Sequence, residues 1–115
     1  MMPERRPQAI EKFIGLQLRT ADGRDIGTVS RFLTNRLGDL PEWLLVERGI
    51  LGGRTLIVPV ADTSLEEDER VVTPYTSELI EAQPDAEIDG EVLSHESDDA
   101  LNQHFGLGAS RPRTP

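Results

Sequence analysis

Trp43-Leu44-Leu45-Val46-Glu47-Arg48-Gly49-Ile50-Leu51-Gly52-Gly53-Arg54-Thr55-Leu56-Ile57-Val58-Pro59-Val60 decides the fold of this chain. Two short apolar runs flank a turn that holds three glycines, and the second run ends in Pro-Val. This is the pattern of a β-hairpin whose strands are buried on both faces. It makes the first half of the chain a small β-barrel or sandwich, a fold type that usually binds partners rather than performing chemistry.

Working outward, Gly15-Leu16-Gln17-Leu18-Arg19 alternates apolar and polar residues and reads as a strand with Leu16 and Leu18 inward. Ala21-Asp22-Gly23-Arg24 is a turn, and Ile26 to Leu33 the return strand. Gly27 within that strand marks a bulge or a close backbone approach. Thr34 to Pro41 is a polar loop, followed by the central strands Glu42–Arg48 and Arg54–Val60. Pro59 cannot donate to a ladder, so it marks an edge position or the end of a strand. Asp62 to Glu69 reads as an acidic loop, and Arg70 to Thr73 as a short final strand. Five short strands with frequent turns predict a compact, closed antiparallel barrel.

After Pro74 the period changes. Thr76 or Ser77 caps a two-turn helix over Glu78–Ala82, stopped by Pro84. Pro84 to Val92 is acidic and irregular. Ser94 is an N-cap followed by Glu96, Asp98 and Asp99, where the helix dipole favours anions. Leu101 and Phe105 give this last helix an apolar stripe, and Gly106 ends it. The expected organisation is a loose arm over residues 1–11, a barrel over 12–74, an acidic helical tail over 75–107 and a disordered terminus over 108–115.

The chain has 115 residues, one domain by length, with 37% apolar and 29% charged residues. Only five aromatic side chains are present, so the core must be mostly aliphatic. There is no cysteine, which excludes disulfides, thiolate metal sites and thiol nucleophiles. No stretch has the length and apolarity of a membrane span or the pattern of a signal peptide, and a cytoplasmic protein is expected. The net charge of −9 is uneven: residues 1–60 carry +2, residues 61–99 carry −13, and the remainder +2. Such an acidic chain repels a phosphate backbone, so no nucleic-acid partner is expected.

Taken in order, these features resemble the PRC-barrel family, typified by the cytoplasmic domain of the photosynthetic reaction centre H subunit and the C-terminal domain of the ribosome maturation factor RimM. The residues that carry the resemblance are Asp22-Gly23-x-x-Ile26-Gly27-x-Val29, then Trp43 to Gly49, then Gly53-Arg54 leading into Leu56-Ile57-Val58-Pro59-Val60. The tail is similar to that of H-subunit-like bacterial members in Tyr75, in Ala82-x-Pro84 and in His104-Phe105-Gly106. The resemblance covers about residues 12 to 107. It implies a small barrel with helical additions, used as an assembly or interaction module and not as a catalyst. With neither a membrane helix nor a companion N-terminal domain in view, it carries over the fold and no functional residues.

Candidate chemistry is sparse. Asp85-Ala86-Glu87-Ile88-Asp89-Gly90-Glu91-Val92-Leu93-Ser94-His95-Glu96 matches a calcium loop at positions one, five, six and twelve. Glu87 at the third position pushes its carboxylate too far for a compact loop, and Pro84 prevents a continuous incoming helix. An acidic linker with an Asp-Gly turn is the preferred reading. A calcium- or small-ligand-binding regulator using Asp85–Glu96 is the alternative to an interaction module. The run Asp62 to Glu69 reads as a solvated loop. His95 and His104, nine positions apart at about 100° each, fall on opposite faces of the last helix and cannot share a metal from it. No catalytic, cofactor or metal residue is therefore assigned, and no enzyme is expected. The Trp43–Val46 run leaves one apolar face needing a cover. The Leu79/Ile80 helix, the Leu101/Phe105 helix or a second subunit could supply it. Coverage by the tail is favoured, with a homodimer next.

Overall fold

The computed structural model describes residues 11–34, 40–48 and 54–107. Among them the chain is mainly β, with eight strands in one sheet and two short helices. The strands are β1 (Gln17–Arg19), β2 (Asp25–Thr34), β3 (Pro41–Glu47), β4 (Leu56–Pro59), β5 (Ser64–Leu65), β6 (Val71–Val72), β7 (Ile88–Asp89) and β8 (Val92–Leu93). The helices are α1 (Ser77–Glu81) and α2 (His95–His104). The pairing path runs β4-β3-β2-β1-β6-β5, with β8 joined to the far end of β2 and β7 outside β8.

Chain geometry forces this sheet to curl. β4 and β5 stand at opposite ends of a six-strand path. Laid flat, its two ends would be about 24 Å apart at the usual strand spacing. Residues 60–63 alone connect them, and that connection reaches at most about 18 Å when fully extended. The ends must therefore approach each other, which makes the sheet barrel-like. The expectation of a closed antiparallel barrel needs two corrections. The ladder does not close among the described residues. And β1–β6 and β2–β8 pair in parallel, since each is brought together by a long connection rather than by a hairpin.

The central strands are β3, paired Trp43 to Pro59 and Val46 to Leu56 with β4, and β2 on its other side. Trp43, Leu44, Leu45 and Val46 are all buried, as is every residue of β4. The turn at residues 49–53 lies outside the described residues, as do residues 1–10 of the arm expected over 1–11 and the terminus expected over 108–115. The acidic stretch 62–69, expected as a loop, contains β5, and Glu66 N–H closes a small hairpin onto Arg70 C=O. The stretch 84–92, expected as irregular, contains the β7–β8 hairpin, in which Asp89 pairs with Val92 across a two-residue turn. Gly90 takes φ of 66° at the first turn position, as a type II′ turn requires.

Gly27 shows both of the features its position predicts. The β1–β2 register shifts between Leu18 and Arg19, next to its pairing with Leu18. A Cβ on Gly27 would lie 2.5 Å from the Glu47 carbonyl oxygen and 2.8 Å from the Val46 side chain. Glycine here lets β2 approach β3 closely. Gly27→Ala should cost about 1–3 kcal/mol through overpacking against backbone, read as a lower urea midpoint with an unchanged slope.

Candidate interaction surface

The surface is set by how the tail is tied to the sheet, and three ties do this. The first is Asp22, in the β1–β2 turn. Its Oδ1 accepts from the Thr20 hydroxyl at 2.6 Å and from the Ser77 backbone N–H at 2.9 Å, and its Oδ2 accepts from the Ser77 hydroxyl at 2.8 Å. Thr20 and Ser77 are buried. The Thr20 hydroxyl, then the backbone N–H and hydroxyl of Ser77, hold the Asp22 carboxyl far below the usual carboxylate range. The start of α1 is thus fastened to a turn 55 residues earlier. Thr76 caps the same helix by accepting from Leu79 N–H, as its type and position predict.

The second tie is Gln83, directly after α1 and buried. Its Oε1 accepts from Ile57 N–H at 2.9 Å, and its Nε2 donates to Ile57 C=O at 2.9 Å and to Ile80 C=O at 2.8 Å. Arg54 reinforces the join by donating to the carbonyls of Glu81 and Gln83. Nothing in the local sequence marks Gln83 out, because its partners are backbone groups that any residue carries.

The third tie is α2. Leu101 and Phe105 are buried, as their spacing predicts. Phe105 packs on Trp43, Tyr75 and His104, with ring centroids 6.4, 4.9 and 5.0 Å away. Trp43 Nε1 donates to Asp98 at 3.3 Å. Burial, and secondarily the charge of Asp62, push the Tyr75 hydroxyl pKa up. His104 Nε2 lies 2.6 Å from Leu79 C=O, so its ring satisfies a carbonyl of α1. His95, the other histidine, pairs with Asp99 one turn along on the exposed side. The tail therefore packs on β3 at Trp43 through the Leu101/Phe105 helix, one of the covers the sequence leaves open.

What remains outside is a groove of about 370 Å³ where β3, β4 and α2 meet, lined by Pro41, Trp43, Pro59, Val60, Ala61 and Asn102 among others. Leu40, next to Pro41, is 62% exposed, the most exposed large apolar residue of the described chain. Asp85–Glu96 is folded as the β7–β8 hairpin plus the N-cap of α2. Ser94 N–H donates to Glu87 C=O, and Glu87 N–H to the Ser97 hydroxyl. Asp85, Glu87 and Glu96 border one cleft, but no group of three or more His, Asp or Glu among the described residues is arranged to hold a metal ion.

Two outcomes follow from the ties. Asp22 has a folded-state pKa below its unfolded value of about 3.9, so its contribution is complete above that pH and drains away as the pH falls below it. Asp22→Asn should lower Tm at pH 7, and the gap to the parent chain should narrow below about pH 4, in thermal melts run from pH 7 to 2. Phe105→Ala should cost about 3–5 kcal/mol and shift the fluorescence of the single tryptophan to the red as water reaches Trp43.

No curated protein matches this chain. A family model, the PRC-barrel domain, matches residues 8–79. The match ends within α1, so Ile80, Gln83 and α2, which bury and brace the central strands, lie beyond it. It spans β1 to β6, the Asp22-Gly23 turn, Gly27 and the central strand pair, all of the elements from which the curl was derived. The chain belongs to the PRC-barrel domain family.

Proposed function

We propose that this chain is a non-catalytic interaction and assembly module of the PRC-barrel type, acting in the cytoplasm as a homodimer. The observation that carries this reading is the groove between β3, β4 and α2 with the exposed Leu40 beside it. Asp22 and Gln83 are turned to joining the tail to the sheet. They support a rigid platform. The groove rim is built from Pro41 and Pro59, whose fixed φ angles keep its shape before a partner arrives. A preformed apolar depression beside an exposed apolar residue is the kind of patch that marks protein contact. Because α2 already packs on Trp43 of β3, a second copy would dock on this seam rather than replace the tail. The Asp85–Glu96 hairpin lends no comparable support to a calcium-binding regulator, since its backbone groups at Glu87 are engaged within the chain.

Light scattering on the full chain tests this directly. The expected mass is twice 12.8 kDa, and the pair of substitutions Leu40→Glu and Ala61→Arg should halve it with the circular dichroism of the folded chain unchanged, because both residues are exposed. A parent chain of 12.8 kDa at millimolar concentration would contradict the assembly reading.

A further inference from the structure

Among the described residues β4 ends the pairing path, yet all four of its residues are buried. An apolar edge strand invites pairing with another chain, and folded proteins blunt such edges. Strand parity shows which backbone groups face outward here. Val60 N–H donates to Glu42 C=O across the ladder. Leu56, Val58 and Val60 therefore bond toward β3, while Thr55, Ile57 and Pro59 face away. Pro59 has no N–H to offer. Ile57 has both groups, and the Gln83 side-chain amide takes both, its Oε1 from the N–H and its Nε2 to the C=O, each at 2.9 Å. A primary amide thus stands where the peptide group of a neighbouring strand would stand. Without it, residues 81–85 would keep ion pairs and carbonyl contacts to Arg48 and Arg54, whose side chains are 31% and 43% exposed. Exposed ion pairs hold little.

We propose that Gln83 is an edge lock, an autoinhibitory contact that keeps β4 from adding a second copy of this chain. The occupant it excludes is a second copy because antiparallel pairing about Ile57 is self-complementary. Each Ile57 would exchange its N–H and C=O with the other, and both strands are apolar.

Sedimentation velocity on full-length Gln83→Ala, compared with the parent chain over a concentration series, tests the lock. The variant should shift toward twice the parent mass as concentration rises. At the lowest concentration its Ile57 amide should exchange hydrogen at least about tenfold faster than in the parent. Gly27→Ala, destabilised where β2 meets β3 and with Gln83 left in place, is the control and should keep the parent mass. Parent mass and parent Ile57 protection in Gln83→Ala would overturn the lock. So would equal association of Gly27→Ala at the same fraction unfolded. Gln83→Glu supplies a second arm should the alanine variant not fold. Protonated, the introduced carboxyl offers one donor and one acceptor to Ile57 and should restore the parent mass; ionised, it cannot donate and should associate. A mass ratio to the parent that does not change with pH would contradict the lock. Since mass is read relative to the parent chain, the result is separate from whether that chain is a monomer or a dimer.

Discussion

A strand buried on both faces needs a cover on both, and Trp43-Leu44-Leu45-Val46 is such a strand. The curl of the sheet, imposed by the short connection between β4 and β5, closes one face. Ile80 of α1 and Leu101 and Phe105 of α2 join the same core from the tail. Magnitudes say which forces matter. Full burial of a large apolar side chain stabilises by roughly 1.5–3 kcal/mol, whereas an exposed ion pair contributes about 0–1 kcal/mol. The bridges from Arg19 and Arg70 to Asp25 therefore adjust the β1–β6 seam, while burial at β3 holds the molecule together.

Polar groups enter this account through cost rather than gain. A buried backbone donor or acceptor left unpaired costs about 1–3 kcal/mol, so an apolar strand at the end of a sheet must have its outward groups satisfied. Gln83 does this for Ile57, and Pro59 removes the next donor altogether. At the other end of the path β5 is only two residues long, so it offers little ladder to a partner. The fold thus leaves its groove, rather than the edges of β4 and β5, as a surface available for contact.

Much of this was legible in the sequence wherever the signal is local. Thr76 and Ser94 cap helices as their types predict, Leu101 and Phe105 share a buried stripe, and Gly27 sits at a close approach beside a register shift. β5, β7 and β8 escaped because two residues cannot display a period of two; β6, equally short, is marked by its adjacent β-branched Val71 and Val72. The parallel pairings escaped because they join segments far apart in the chain, and no turn chemistry announces them. Asp22 was visible only as a turn residue, and Gln83 not at all, since their bonds reach across 55 and 26 residues to groups without a sequence signature. In Asp85–Glu96 the Asp-Gly pair that fits a calcium loop also fits a hairpin turn, and tertiary pairing of β8 with β2 selects the hairpin.

The tail beyond the family match is part of the core and not an appendage. A chain ended at Leu79, the last matched residue, measures this most directly by urea unfolding followed through Trp43. No cooperative transition is expected, because Ile80, Gln83, Leu101 and Phe105 are gone from the core and from the edge of β4. A cooperative transition with the midpoint of the full chain would contradict it.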